Sequence, residues 1–540
     1  MVEEPSILIK NASIVDGSGN PYYKADIAIR RGRIDRIARS IKAEGFHRLL
    51  QADHLTVTPG FIDTHTHDDF YVIVRPTCDD KVLQGVTTCV IGNCGFSIAP
   101  LSPAHKEEAQ EAMRVIGSQE IPPEFWESQS FGEYLQRLEV IKVGINLIPL
   151  VGHQSTRIAV LGSVNRAPND WELGRMKGLV TEAMEAGAFG FSTGLIYAPG
   201  SYAQLNEIVE LTKVVAPYGG IYISHIRSEG DFEIPALEEA IRVGREAGVP
   251  VHISHLKVVG RENWGKSKAV LRMISEARAA GIQVTCDQYP YTAGSTYLAS
   301  ALPPWILAGG EKEYSQRLQE KRVRKAIVEE IEKGKESLWE NWIKAAGFEG
   351  IVITASPRHP DYVGKTVAAI AQAQRKNPYD LIFDLIIEEK KATAVLLFVM
   401  AEEDVEKIMQ SPFTMIGTDG IPRFGPSQNH PRQTGSFPRV LGRYCREKGI
   451  LGLEDAVRKM TSLPSQAFHL KRKGWVREGF DADLVVFDPQ TIIDRSTYED
   501  PNREPEGINY VLVNGELAVE NGKVTRATSG KILRRQKGWN

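Results

Sequence analysis

The sequence predicts an α/β fold: a (β/α)8 TIM-like barrel, a small β-sandwich domain built from both chain termini, and an inserted lid subdomain. Three observations predict it. Through the middle of the chain short apolar strands alternate with amphipathic helical stretches, as in 171–186 leading to Phe189-Gly190-Phe191-Ser192 and 234–247 leading to 249–255. Repetition of that unit is the pattern of a parallel sheet, and over roughly four hundred residues a closed barrel is its simplest arrangement. Both ends of the chain instead alternate apolar and polar residues, and from about Tyr297 to Met400 the strand–helix repeat is interrupted.

The elements follow in order. Segment 1–57 reads as the first part of the sandwich: Ile7-Leu8-Ile9, Ile14-Val15, Ala28-Ile29 and Ile34 to Ile37 alternate around the turn pairs Asp16-Gly17 and Arg31-Gly32. Segment 58–296 carries the first part of the barrel. Segment 297–400, with Leu302-Pro303-Pro304-Trp305, a charged helical run over 311–332 and a further helical stretch over 366–375, is long enough between strands to be an inserted subdomain. Inserts after barrel strands sit over the site, so it is expected to form a lid. Segment 401–470 returns to the barrel. Segment 471–540 completes the sandwich with Ala482 to Asp488 and Val511 to Glu516.

Composition narrows the function classes. With 42% hydrophobic and 25% charged residues in 540, the chain is an ordinary globular protein. A formal net charge of −3 and pI near 6.5 give no electrostatic reason to expect nucleic acid or an anionic membrane as partner. The start, Met-Val-Glu-Glu-Pro-Ser, lacks the basic and apolar regions of a secretory signal, and the most apolar window, Ala392 to Met400, is about half the roughly 20 residues a membrane helix needs, so a cytoplasmic protein is expected. Five cysteines form an odd, sparse set that argues for reduced thiols. Four read as structural. Cys94, between Asn93 and Gly95 after Val86 to Ile91, sits where a strand ends.

The chemistry concentrates at such strand ends. Thr58-Pro59-Gly60-Phe61-Ile62-Asp63-Thr64-His65-Thr66-His67 is a short apolar run ending in two histidines that share a strand face. His225 in Ile-Ser-His-Ile-Arg, His255 in Ile-Ser-His-Leu-Lys and Asp419 in Gly-Thr-Asp-Gly complete a set of six with Cys94. Each alone is ordinarily structural, and Asp419 alone reads equally as part of a plain Asp-Gly turn. Together, at the same end of barrel strands, they read as a metal-dependent hydrolase. Catalytic zinc takes about three protein ligands and leaves a position open. Cys94, His225 and His255 meet that count, while His65 and His67 with Asp419 either add a second, weaker metal site or shape the pocket. Asp419 is the candidate for proton transfer.

Strand parity sorts the remaining groups. His255 and Lys257 share the face of Val251 and Ile253, whereas His252 points the other way and is rejected as a ligand. Lys257 is then a pocket cation suited to a substrate carboxylate, and Asp287, Tyr289 and Tyr291 share one face. Gly190-Phe191-Ser192-Thr193-Gly194 has the spacing of a nucleophile elbow, yet Leu195 to Gly200 follows it where a helix should start. No phosphate-binding glycine loop or dinucleotide fingerprint is evident.

These segments, with Gly92-Asn93-Cys94-Gly95-Phe96-Ser97, Gly190 to Tyr197, Ser224-His225-Ile226-Arg227-Ser228-Glu229, His430-Pro431-Arg432 and Phe437 to Gly442, resemble the amidohydrolase superfamily and, within it, the D-aminoacylase (N-acyl-D-amino-acid deacylase) family. The resemblance spans nearly the whole chain. It implies zinc held tightly by Cys94, His225 and His255, Asp419 as the base, and Tyr197, Lys257, Tyr289 and Ser295 lining the substrate pocket, with Lys257 and Tyr289 near the carboxylate. Hydantoinases and dihydroorotases generally use a carboxylated lysine on the fourth strand; here Phe189 to Gly194 offers Ser192 and no lysine, and the Cys94 thiolate looks like the substitute. The implied reaction is hydrolysis of small-molecule N-acyl-D-amino acids. Its rivals are a related amidase acting on D-peptides, acidic N-acyl-D-amino acids or lactams, and a non-catalytic scaffold on the same barrel. Side-chain preference, acyl length and oligomeric state have no signature in the sequence.

Overall fold

A computed structural model describes residues 6–116, 121–127, 130–334, 338–422 and 429–535. Eight parallel strand positions form the central wall. Phe61–Asp63, Val86–Ile91 and Asn146–Pro149 pair as one sheet; Val151–Gly152, Gly190–Gly194, Ile221–His225, Val251–Ile253, Val284–Gln288 and Thr414–Ile416 pair as a second. The two sheets meet at both edges. Asn146–Pro149 runs through Leu150 into Val151–Gly152, and beyond the strand ends Thr66 bridges Gly420 in parallel, with Asp419 donating its backbone N–H to His65 O at 2.7 Å. The expected barrel is thus the observed frame, with the loops after its strands gathered on one side.

The connecting helices form for local reasons. Asp170–Ala186 starts with a capping box, Asn169 accepting from Glu172 N while the Glu172 side chain accepts from Asn169 N, and stops at Gly187, whose φ of 109° suits only glycine. It delivers the chain to the fourth barrel strand. Glu233–Ala247 does the same for the sixth, ending at Gly248 in the left-handed region.

The first and last parts of the chain share one nine-stranded sheet. Thr56–Pro59 pairs antiparallel with Leu484–Phe487, and a separate core of Ile7, Ile9, Ile27, Val57, Leu484, Val486 and Leu512 lies against it. Arg31 and Gly32, with φ of 52° and 72°, make the tight turn joining Tyr23–Arg30 to Arg33–Ala38. Beyond this sheet the chain returns to the barrel: Leu533 donates to Leu147 O at 2.8 Å. The insert builds a three-stranded antiparallel sheet, Ala293–Tyr297, Ala394–Phe398 and Ile351–Ala355. The expected charged helical run divides into Glu311–Gln319 and Lys321–Lys333. Among the described residues no helix is long and apolar enough to cross a membrane.

Candidate active site

The edge where the last barrel strand meets the first is held by buried charge. Lys81, fully buried, reaches Asp63 Oδ2 at 3.0 Å, Asp68 Oδ2 at 3.2 Å and Thr418 Oγ1 at 2.8 Å. Asp63 in turn accepts from Thr418 N at 2.8 Å and Thr418 Oγ1 at 2.7 Å. Buried ions are retained only when paired and hydrogen-bonded, and this set fixes the loop of His65 and His67 against the loop of Asp419.

Cys94, His255 and Asp419 lie just past their strands with φ of 52°, 34° and 46°. A non-glycine residue in the left-handed region carries strain, which clusters at functional sites where the surroundings impose it. The Cys94 turn is imposed by Ser192 on the fourth strand, whose hydroxyl donates to Gly92 O and accepts from Gly95 N at 3.1 Å. Where a cyclic-amide hydrolase would carry its lysine, this chain carries the support for its thiol. The positive φ also changes the reading of His255: the strand ends at Ile253, so parity does not govern His255 or Lys257. His252 lies inside that strand and bonds Asp287 Oδ2 at 2.6 Å, away from Cys94.

Three imidazoles converge on one sulfur. Cys94 Sγ is 3.3 Å from His65 Nε2, 3.6 Å from His225 Nδ1 and 3.5 Å from His255 Nε2. A thiol has a single proton and cannot satisfy three nitrogens. With Zn–S near 2.3 Å and Zn–N near 2.0–2.1 Å, however, two ligands of a tetrahedral ion stand about 3.5 Å apart. The donor set therefore fits a zinc-type cation. Cys94, His65 and His255 form one group with ligand atoms within 4.8 Å of one another; His65, His67 and Asp419 form a second; His225, Glu229 and His255 form a third. His65 thus stands between the first two, and His225 approaches Cys94 from the far side. Burial alone would push the Cys94 thiol up, but His65, His255 and His225 outweigh it and hold the pKa well below that of a free thiol.

Asp419 binds in two directions. Its Oδ1 lies 3.4 Å from His67 Nε2 and 3.6 Å from His65 Nε2, and its Oδ2 is 2.7 Å from Arg432 Nη1. Burial opposes ionisation, yet Arg432, His255, His67 and His65 hold the carboxyl well below the usual range. The same pairing with Asp419 and Cys94, against burial, lifts His67 to about 9.

On the other side Glu229 links the groups. Its Oε1 is 2.5 Å from Lys257 Nζ and 2.9 Å from His255 Nδ1, and its Oε2 is 3.7 Å from His225 Nε2. Burial would raise its pKa; Lys257, His225 and His255 bring it down to about 2. Lys257 therefore lies in the pocket already paired. Tyr289 stands beneath two cations, with Arg432 at 4.5 Å and Lys257 at 5.6 Å from its ring centre, and Tyr197 packs edge-on against His225 at 5.2 Å. Ser295, whose main-chain oxygen faces Arg432 at 3.5 Å, lines the same cavity as Lys257, Tyr197, Tyr289, His67 and Asp419. Trp342 and Leu397 of the insert line it as well.

Sequence reasoning missed Glu229, Asp287, Arg432 and Trp342 as functional residues. Glu229 had a signal, four residues beyond His225. Asp287 pairs with His252 Nε2, accepts the backbone N–H of His255 at 2.6 Å and lies 3.7 Å from His65 Nδ1, so it fixes the His255 turn and stands behind His65. Carboxylates behind metal-type histidines commonly govern 10- to 100-fold of affinity. Asp287→Ala is expected to weaken metal binding by about that factor in a chelator competition while the far-ultraviolet spectrum stays native; unchanged affinity would remove Asp287 from this role.

With this geometry established, comparison with known proteins is decisive. D-aminoacylase of Alcaligenes xylosoxydans xylosoxydans is 36% identical over 529 residues, covering 98% of this chain and 97% of that protein. The chain belongs to the D-aminoacylase family of the amidohydrolases. The amidohydrolase family profile matches residues 341–519 of this family member. A solved D-aminoacylase, described by its binuclear metal centre with one-metal activation and second-metal attenuation, aligns at TM-score 0.83 and 34% identity over 98% of this chain and 99% of that one. The N-acyl-D-glutamate deacylase of Bordetella bronchiseptica, solved with zinc and a phosphonate mimic of the tetrahedral intermediate, aligns at 0.82 and 34% over 98% and 100%. The chain is an amidohydrolase-type enzyme.

Proposed function

We propose that the enzyme hydrolyses N-acyl-D-amino acids to a carboxylate and a free D-amino acid. The observation that carries this reading is the convergence of three imidazoles on the Cys94 sulfur beside Asp419, in a cavity also lined by Lys257, Tyr289 and Arg432. Cys94, His225 and His255 would hold a tight zinc, and His65, His67 and Asp419 would either hold a second, weaker ion or shape the pocket; the zinc and the binuclear centre named for the relatives support metal at this cluster. Zinc in such a site acts as a Lewis acid toward a carbonyl and makes water acidic at neutral pH.

The protein groups divide the remaining work. Lys257 and Tyr289 take the substrate carboxylate, and Tyr197 and Ser295 line the wall beside it, which places the amide carbon over the sulfur–imidazole cluster. Asp419 accepts a proton from the attacking water as the new C–O bond forms. It returns that proton to the amide nitrogen as the C–N bond breaks, so the amine leaves neutral. D stereochemistry rests on the family relationship, since the donor geometry is blind to it.

A panel of paired N-acetyl-D- and N-acetyl-L-amino acids, run on protein of measured metal content, tests the reading. Turnover confined to the D series and at least one zinc per chain is expected. Preference for the L series, or full activity after the zinc is removed, overturns it.

A further inference from the structure

The insert contributes a side chain to the cavity that no part of the hydrolytic chemistry uses. Trp342, only 4% exposed, lines the pocket with Phe96, Ile116, Leu397 and Ile421, and its indole Nε1 is buried with no hydrogen-bond partner among the described residues. Tryptophan N–H groups are normally satisfied when buried, so this one is left for an acceptor that arrives with the substrate.

Its position is held from both sides. Glu340 Oε2 accepts the Glu229 backbone N–H at 2.5 Å, and Lys344 reaches Asp231 at 3.1 Å. A Cβ on Gly230 would meet Glu340 Oε1 at 2.9 Å, so glycine there permits the close approach. These clasps pin 340–344 onto the loop that carries Glu229, the partner of Lys257. The segment that carries Trp342 is therefore seated against the loop whose Glu229 holds Lys257, the residue proposed above for the substrate carboxylate.

We propose that Trp342 is a specificity-determining residue whose ring forms the wall for an apolar D side chain and whose N–H closes on the substrate carboxylate. The inference rests on the N-acyl-D-amino-acid reading above. The lining favours the apolar class, since besides Trp342 it includes Phe96, Ile116, Leu397 and Ile421. One or two methylenes of contact in such a pocket discriminate by roughly 10- to 200-fold.

Kinetics of Trp342→Ala and Trp342→Phe on the N-acetyl derivatives of D-leucine, D-alanine and D-glutamate, in zinc-loaded enzyme, test this. The native enzyme is expected to favour D-leucine over D-glutamate. Trp342→Ala should lower the D-leucine to D-alanine ratio of kcat/KM about tenfold. Trp342→Phe should keep that ratio but raise KM several-fold on both substrates with kcat unchanged. Metal content equal to the native value separates these effects from damage to the centre. An unaltered ratio in Trp342→Ala, an unaltered KM in Trp342→Phe, or a native preference for D-glutamate overturns the proposal while leaving the deacylase reading intact. Failure of the native enzyme to cleave any N-acyl-D-amino acid overturns both.

Discussion

Cys94→Ser is expected to strip the tight zinc and to abolish turnover. The replacement is nearly isosteric, so the turn held by Ser192 and the left-handed backbone at Cys94 persist. What changes is the donor: a neutral hydroxyl takes the place of a thiolate that is held ionised by three imidazoles, and soft thiolate is the ligand type that suits zinc. Loss of a ligand exceeds the roughly 10- to 100-fold in affinity that outer carboxylates control. Elemental analysis after dialysis against a chelator should find the variant depleted where the native enzyme keeps its zinc. A Cys94→Ser protein that retains one tight zinc and native turnover would remove the sulfur from the centre and the hydrolytic mechanism with it.

The same residues show where sequence reading reaches and where it stops. The barrel is legible because strand and helix periodicities differ and because two of its long helices end in a glycine ahead of the next strand, at Gly187 and Gly248. The ligand types are legible because each follows an apolar run. His252 could be set aside since it lies within a strand, where alternation holds; Lys257 and His255 could not be placed that way, since the strand has already ended. Groups acting across the fold leave no local trace. Lys81 belongs to a short helix yet joins Asp63 to Thr418, more than three hundred residues away in the chain. Trp342 comes from an insert whose seat on the barrel depends on Glu340 meeting one backbone N–H. Neither carries a spacing that distinguishes it from an ordinary lysine or tryptophan.

Asp419→Asn should separate metal binding from proton transfer. Asparagine fills the same space and keeps an oxygen toward His65 and His67, but it cannot accept a proton at neutral pH. The tight centre is built on Cys94 without Asp419, so zinc content is expected to stay at one per chain. Loss of a positioned acid–base group commonly costs about 10²- to 10⁴-fold, and the loss should appear in kcat with little change in KM, because the group acts as the bond breaks rather than when substrate docks. A modest fall in thermal stability should accompany it, since Arg432 loses the carboxylate 2.7 Å away and remains buried. Native kcat in the variant would assign the proton to another carboxylate, and Glu229 would then be the group to test, because it faces His225 and His255 from the opposite side. Each carboxylate has one oxygen on a cation, Glu229 on Lys257 at 2.5 Å and Asp419 on Arg432 at 2.7 Å, and the other toward imidazoles, so the proton is assigned to Asp419 on the family relationship and this variant decides between the two.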